Sequence, residues 1–151
     1  MKFGIIFGSS AKLQRRMALA GAAGLLAGSS AAAAMQPIDG RYVDSGGFVE
    51  ITIAACGNAR CGTITRIIKD KPGEPDNDIY NKNPALRDRP ILGIRLLTGL
   101  RWEKDAWRGQ VYNPEDGGTY KVFVKPASAG RLEVKGCLAF LCRTRIWGAA
   151  R

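Results

Sequence analysis

The sequence predicts an all-β domain: a small antiparallel meander barrel of about eight strands, with a two-sheet β-sandwich as the alternative. Three features indicate this class. Apolar and polar residues alternate with period two after residue 35, turn-forming residues separate the alternating segments, and most connections are short. Such alternation gives each strand one buried face and one wet face. Alternation alone does not distinguish a closed sheet from two packed sheets, so both architectures stay open at this point.

Eight segments are predicted to form the strands. In chain order they are Arg41–Val43, Phe48–Ala55, Gly62–Ile68, Leu92–Leu100, Trp107–Asn113, Thr119–Lys125, Arg131–Lys135 and Arg143–Trp147. Clusters of glycine, asparagine, serine and proline separate most of these segments, because such residues favour sharp chain reversals. The alternation directs six apolar side chains toward the interior: Ile51, Ile53, Val122, Val124, Leu132 and Val134.

The segment from about residue 70 to residue 90 is predicted to be a long irregular loop. It contains Pro72, Pro75, Pro84 and Pro90 together with many charged residues. Loops of this length inside a small domain often carry a function or cover a cavity.

Residues 1–34 are predicted to be a signal peptide, which leaves residues 35–151 as a single β domain. A basic start is followed by an uncharged stretch from residue 17 to residue 34 that ends in four alanines. Small residues at that place suit cleavage by a signal peptidase. An uncleaved membrane anchor is the alternative, and Arg15-Arg16 leaves twin-arginine export beside the ordinary secretory route. We therefore expect a periplasmic or secreted protein.

Charge and composition exclude several classes of function. The chain of 151 residues has a net charge of +10 and no histidine. Without histidine, Ser-His-Asp hydrolases and histidine-ligated zinc or haem sites are excluded. Cleavage would remove four of the 23 basic residues and none of the 13 acidic ones, which leaves a net charge of +6. We expect no cofactor, no metal, no nucleic acid partner and no membrane span after cleavage.

The four cysteines form two units with equal spacing, Cys56-x4-Cys61 and Cys137-x4-Cys142. Each pair flanks a candidate hairpin turn, where opposed residues come close enough for a disulfide bond. An exported chain meets an oxidising compartment, so two local disulfides are favoured over a zinc site made by all four cysteines. Each short loop is worth about 2 kcal/mol on the chain-entropy estimate.

Four stretches resemble the bacterial exported family known as domain of unknown function 2147. They are Cys56-Gly57 with Cys61-Gly62, the segment 81–93, the segment 107–120, and Leu132–Cys137 continuing to Arg143–Trp147. The resemblance covers about residues 40–148. The family pattern often has a lysine before the Thr-Tyr pair, where this chain has Gly118. The resemblance implies a small, exported, mostly β domain, and it brings no established activity.

A second resemblance is to lipocalin-like barrels. Gly40-Arg41-Tyr42 is similar to their Gly-x-Trp start, with tyrosine in place of tryptophan. The resemblance implies that a late arginine, Arg143 or Arg145, packs on that ring, as a cation favours an aromatic face.

Six polar residues are the candidate ligand-binding residues. Tyr112, Asp116 and Tyr120 surround a predicted turn between two strands, and Asn83, Arg87 and Arg89 lie in the long loop. Arginine binds carboxylates and anionic head groups through paired hydrogen bonds, which asparagine can supplement. The competing interpretation is structural: Asp116 caps the turn, and the loop side chains satisfy loop carbonyls and neighbouring acids.

The sequence therefore predicts a domain that binds a small amphipathic or anionic ligand, or a component of the cell envelope, more readily than an enzyme. One alternative is a hydrolase that uses Asp116 with a second carboxylate from elsewhere in the fold, since paired carboxylates catalyse hydrolysis when one pKa is raised. The other alternative is a purely structural envelope protein. An apolar cavity would favour the first interpretation, and a filled barrel the last.

Overall fold

Eight antiparallel strands form a closed barrel in the order of the chain. The computed structural model describes residues 33–151, so residues 1–32 of the predicted signal peptide lie outside the described residues. The strands are β1 Gly40–Val43, β2 Val49–Cys56, β3 Ala59–Ile67, β4 Arg95–Glu103, β5 Ala106–Asn113, β6 Gly118–Pro126, β7 Leu132–Leu138 and β8 Leu141–Ala149. Short 3-10 turns occur at Pro84–Leu86 and Ser128–Gly130.

The barrel prediction is confirmed, and the sandwich alternative is wrong. All eight predicted strands exist in the predicted order, although their ends differ. Strand β4 begins at Arg95 rather than Leu92, because the chain packs Ile91 and Ile94 against the core before it enters the sheet. Strands β7 and β8 extend further toward their shared turn than the alternation indicated, because the Cys137–Cys142 disulfide holds them together there.

The up-and-down topology sorts the connections onto two ends of the barrel. The β2–β3, β4–β5 and β6–β7 turns lie at one end, where the segment before β1 also packs; we call this the closed end. The other four connections lie at the open end: residues 44–48, the long β3–β4 loop of residues 68–94, the β5–β6 turn of residues 114–117, and the β7–β8 turn. Features far apart in sequence therefore meet at the open end.

The core consists of inward-facing apolar residues, and the alternation predicted them correctly. All six predicted inward side chains, from Ile51 to Val134, are buried. The period is interrupted in β4, where the register with β5 shifts between Thr98 and Arg101 and Gly99 adopts a φ of +62°. A bulge of this kind inserts extra residues, so Leu97 and Leu100 are both fully buried although they are three positions apart. The β2–β3 and β3–β4 pairings contain further register shifts.

The segment before β1 seals the closed end. Ile38 is fully buried in the core, although it lies outside any strand. The Trp107 indole N–H donates to the Gln36 carbonyl at 2.7 Å. The Arg60 guanidinium lies over the Trp107 ring and bonds Asp39 at 2.6 Å. Apolar packing and polar contacts together thus fix this segment across the barrel.

Both predicted disulfides are present, and both are local. Cys56 bonds Cys61 with Cα atoms 5.8 Å apart, and Cys137 bonds Cys142 with Cα atoms 4.1 Å apart. Cys137 and Cys142 are direct partners across the β7–β8 ladder, whereas Cys61 is paired with Ala54 and reaches Cys56 diagonally. All four cysteines are used, so a zinc site made from their thiolates is excluded.

Strands β1 and β8 close the barrel through a short seam. Among the described strands, this seam contains two residue pairs, Tyr42 with Ala149 and Val43 with Gly148. The chain then turns away at residue 44, so residues 141–147 of β8 have no strand partner on that side within the described chain. The barrel wall is therefore hydrogen-bonded all round only toward the closed end.

We predict that Ile38→Ala lowers the free energy of unfolding by about 2–5 kcal/mol, because it leaves a cavity in a fully buried site. Chemical denaturation monitored by tryptophan fluorescence measures this change. Met35→Ala is the control, because Met35 is exposed and precedes the packed residues. Equal stability of the two variants would show that the segment before β1 does not seal the barrel.

Candidate functional site

A cavity of about 820 Å³ occupies the open end of the barrel. Its upper rim is formed by residues 44–48, by the two limbs of the β3–β4 loop, and by the β5–β6 turn. Its lower wall belongs to the barrel interior. Ligand-binding cavities in proteins commonly have volumes of about 300–1,000 Å³. The open end of the barrel therefore contains a cavity of the size that a small ligand needs, whereas the closed end is packed with side chains.

The lower wall of the cavity is mostly apolar. Ile64, Leu96, Val111, Val134 and Trp147 contribute to it from five different strands. These residues belong to the core cluster or pack against it. The base of the cavity is therefore continuous with the hydrophobic core and suits an apolar group.

Two arginines of β8 supply positive charge to this wall. Arg143 and Arg145 line the cavity on the same strand face as Trp147, because side chains two positions apart in a strand share a face. Neither arginine takes part in an ion pair or a side-chain hydrogen bond among residues 33–151. Arg143 lies opposite Gly136 in the ladder, so no side chain covers it from β7.

The charged groups of the rim are, in contrast, largely engaged within the protein. Asp44 accepts hydrogen bonds from the backbone N–H groups of Gly46, Phe48 and Val49. Lys71 in the β3–β4 loop bonds Glu115 in the β5–β6 turn. These contacts shape the rim. Of the other cations that line the cavity, Lys69 lies over the Phe48 ring, and Arg143 and Arg145 have neither an acidic nor an aromatic partner among residues 33–151.

A buried carboxylate anchors the long β3–β4 loop. Asp78 is fully buried, and one of its oxygens receives Arg89 Nε at 2.8 Å and Asn81 Nδ2 at 2.7 Å. The other oxygen receives the Tyr112 hydroxyl at 2.5 Å, so the loop is tied directly to β5. The Arg89 guanidinium also lies over the Tyr112 ring, with 5.4 Å between its carbon and the ring centre. We call these four residues the Asp78 cluster.

The hydrogen bonds of the cluster stabilise the ionised form of Asp78. Burial by itself would raise the pKa of this carboxyl. The hydrogen bonds from Tyr112, Asn81 and Arg89, together with the charge of Arg89, outweigh burial and hold the pKa below its ordinary value of 3.8. Burial and the adjacent carboxylate raise the pKa of the Tyr112 hydroxyl. Asp78 and Arg89 therefore form an ion pair at neutral pH, to which Asn81 and Tyr112 add hydrogen bonds.

The other two candidate residues of the loop hold its backbone. Asn83 accepts a hydrogen bond from Ala85 N–H and caps the 3-10 turn that follows it. Arg87 Nε donates to the Asn81 carbonyl at 2.8 Å. Both side chains lie in the central part of the loop, which is outside the cavity lining.

Asp116 and Tyr120 form a separate pair at the β5–β6 turn. One Asp116 oxygen accepts from Gly118 N–H and the other from the Tyr120 hydroxyl, each at 2.7 Å. Burial would raise the pKa of Asp116, but these hydrogen bonds lower it below the ordinary value. At the same turn a side chain on Gly117 would meet the Tyr80 carbonyl, so the turn and the loop pack backbone to backbone.

All six predicted site residues lie at the open end. Arg89 and Tyr112 belong to the Asp78 cluster, Asp116 and Tyr120 form the pair at the β5–β6 turn, and Asn83 and Arg87 hold the loop backbone. Of the six, Tyr112 also lines the cavity. A role for the six in binding stays a prediction. The sequence analysis missed Asp78 and Asn81 as the centre of one network, because a charged loop shows no periodicity that marks a buried acid. It also missed Arg143 and Arg145 as cavity residues, although the alternation with Trp147 placed them on the inward face.

Comparison with family models identifies the chain. Residues 40–148 match the model described as "Uncharacterized protein conserved in bacteria (DUF2147)". The chain belongs to this family. The match covers the whole barrel apart from its last residue, including both disulfides and the β3–β4 loop. Comparison with curated proteins finds no match.

The fold is that of the lipocalins. Among solved structures, the chain is similar to protein HP1028 from Helicobacter pylori, which is described as belonging to the lipocalin family. The two share 22% sequence identity with a TM-score of 0.64, over 78% of this chain and 85% of the other. At this identity the likeness concerns the fold alone, and it agrees with the lipocalin-like start at Gly40.

The lipocalin resemblance implied that Arg143 or Arg145 packs on the Tyr42 ring, and the described residues do not show that contact. Among the described residues, neither Arg143 nor Arg145 stacks on Tyr42; both line the cavity instead. At the closed end, Arg60 lies over the Trp107 ring and Arg108 over the Phe123 ring. The reason is topological, because Arg143 and Arg145 lie on the part of β8 that extends beyond its seam with β1.

Within residues 33–151, no cluster of three or more potential metal-ligating side chains occurs. No helix in that range has the length and hydropathy to cross a bilayer.

We predict that Asp78→Asn lowers the free energy of unfolding by about 2–3 kcal/mol at pH 7, because it removes charged hydrogen bonds while Arg89, 36% exposed, regains hydration. A carboxyl whose pKa is lowered by folding stabilises the protein above its unfolded-state pKa, and this contribution disappears as pH falls through the folded-state value. The difference between wild type and variant should therefore shrink below about pH 4.

Asp88→Asn is the matched control, because Asp88 lies exposed in the same loop and forms no ion pair among the described residues. Urea denaturation of the three proteins from pH 7 to pH 3 measures the effect. A stability difference that is absent at pH 7, or constant across the range, would contradict the role assigned to Asp78.

Proposed function

We propose that this protein is an exported, non-catalytic binding protein that holds a small amphipathic anion in its barrel. The apolar tail of the ligand would occupy the base of the cavity, and its anionic head would contact Arg143 and Arg145. Eight-stranded barrels are wide enough to hold one small ligand. The likeness to a lipocalin-family protein supports a binding role at the level of the fold.

The observation that carries the proposal is the pair of arginines in an otherwise apolar wall. Both arginines are exposed and have no acidic partner among residues 33–151, so their guanidinium groups are accessible to an anion that enters the cavity. A guanidinium forms two parallel hydrogen bonds with a carboxylate or a phosphate. A ligand with a carboxylate or phosphate head and a hydrocarbon tail matches both parts of the cavity.

The state of the carboxylates supports binding over hydrolysis. A general acid needs a raised pKa, whereas folding lowers the pKa values of both Asp78 and Asp116. Both oxygens of each carboxylate already accept hydrogen bonds from the protein. Asp116 therefore acts as the cap of the β5–β6 turn rather than as a proton donor.

Export to the periplasm is part of the proposal. Two disulfides suit an oxidising compartment, and the family is conserved in bacteria. Among the described residues, the first that bonds to the barrel is Gln36, two positions after the predicted cleavage site at Ala34. Cleavage at that place would leave Gln36 and the buried Ile38 in the mature chain.

We predict that the protein binds cis-parinaric acid, a fluorescent fatty acid, more tightly than the methyl ester of that acid. Replacing both arginines, Arg143→Gln and Arg145→Gln, should weaken binding of the acid by about tenfold or more, because charged hydrogen bonds are lost. The variant should bind the uncharged ester as wild type does, because the apolar wall is unchanged. Fluorescence titration measures both affinities.

The control is Lys135→Gln, which removes one positive charge from the outer face of the same hairpin. Lys135 pairs with Thr144 in the ladder, on the face opposite Val134 and Arg145. The control should retain the affinity of wild type for the acid. No binding to wild type, or equal binding by the double variant, would contradict the proposed function.

We predict that protein recovered from the periplasm begins at Met35, because residues 17–34 have the composition of a translocated and cleaved segment. Intact-mass measurement checks the new N-terminus. Ala34→Phe serves as the comparison, because a bulky residue at this place should block processing. Recovery of the full-length wild-type chain in the membrane fraction would contradict export by a cleaved signal.

A further inference from the structure

The β7–β8 turn exposes a group of large apolar side chains. Leu138, Phe140 and Leu141 are 62%, 89% and 66% exposed. Single exposed apolar residues are ordinary, but three within four positions at the end of a hairpin form a patch that water disfavours. We call these three residues the apolar tip.

The tip is held in a fixed conformation. The Cys137–Cys142 disulfide joins the two strands directly below it. The turn itself is tight, and Ala139 has a φ of +51°, which an alanine adopts only when its surroundings impose it. A preformed apolar tip loses little conformational entropy when it is buried against a partner.

The tip extends beyond the rim of the cavity. Gly136 and Arg143 are the outermost residues of this hairpin that line the cavity, and residues 137–142 are outside the lining. The tip therefore does not fold inward as a lid. It points away from the barrel at the open end, where a flat partner can reach it.

The charge around the tip indicates the kind of partner. From residue 134 to residue 147 the hairpin contains Lys135, Arg143 and Arg145 and no acidic residue, and Glu133 lies farther from the tip along β7. Lys121 of β6 pairs with Cys137 and adds another cation beside the tip. Apolar side chains at the end of a basic hairpin match a surface that is apolar inside and negatively charged outside.

We propose that the apolar tip inserts into the surface of a membrane that contains anionic phospholipids. Phe140 and the two leucines would enter the boundary between head groups and acyl chains, and Lys121 and Lys135, on the outer face beside the tip, would contact the phosphates. A second copy of this chain is less suited to the site, because two such hairpins would bring their positive charges together. Insertion needs no ligand in the cavity, so this inference stands apart from the proposed function.

Vesicle binding tests the inference. The purified protein should cosediment with vesicles of phosphatidylcholine and phosphatidylglycerol, more weakly with phosphatidylcholine alone, and less as the salt concentration rises. The double variant Phe140→Ser and Leu141→Ser should lower the partition coefficient by about tenfold or more, because two apolar side chains are removed from the contact. The single variant Phe140→Ser should show an intermediate value.

Ile68→Ser is the matched control, because Ile68 is an exposed apolar residue at the same end of the barrel but outside the tip. Melting temperatures of all variants should equal that of wild type, since the replaced tip side chains face solvent. Failure of wild type to bind phosphatidylglycerol vesicles, or equal binding by the double variant, would overturn the inference. The inference would also be overturned if the wild-type protein bound no vesicles but formed a dimer that the double variant does not form. The tip would then contact a second copy of the chain.

Discussion

The ion pair between Asp78 and Arg89 holds the long β3–β4 loop in place at the open end of this barrel. The β3–β4 loop is rich in charge and proline, and backbone hydrogen bonds join its two limbs, such as Asp78 N–H to the Arg89 carbonyl and Ile91 N–H to the Asp76 carbonyl. At the same place a single buried carboxylate accepts hydrogen bonds from Arg89, Asn81 and the Tyr112 hydroxyl. Through Tyr112 the loop is joined to β5, and through the close approach of Gly117 to Tyr80 it is joined to the β5–β6 turn. The rim of the cavity depends on this attachment, because both limbs of the loop line it.

The two ends of the barrel use their residues differently. The closed end is filled: Ile38 is buried, and the Trp107 indole and the Arg60 guanidinium bond the segment that crosses it. The open end is hollow, and its polar residues divide into those that bond the protein and those that do not. Rim groups such as Asp44 and Lys71 hold backbone and neighbouring loops. The arginines on β8 have no such partner among the described residues. Their guanidinium groups are therefore accessible to a ligand, whereas the charged groups of the rim bond to the protein itself.

The hairpin formed by β7 and β8 combines three features that are separate in the sequence. Its inner face carries the arginines of the cavity wall, its outer face carries Lys135, and its turn carries the exposed apolar tip. The Cys137–Cys142 disulfide fixes the relative positions of all three. The same strand β8 is joined to β1 through a short seam, so most of its length has a ladder partner only in β7 within the described chain. The Cys137–Cys142 disulfide therefore links β7 and β8 in the part of the barrel where β8 has a ladder partner on one side only.

The sequence by itself determined the class of fold, the strand order and the pairing of the cysteines, because these follow from local rules. Alternation identified Ile51, Val122 and Leu132 as core residues, and the equal cysteine spacing limited the disulfides to hairpin ends. Only the tertiary structure decided which polar residues are buried. Asp78 and Asp88 look alike in a charged loop, yet one is fully buried and the other is exposed. Alternation with Trp147 places Arg143 and Arg145 on the inward face, but the cavity that they line forms only when the barrel closes and the long loop packs against β5. Closure depends on contacts between residues distant in the chain, which no local pattern shows.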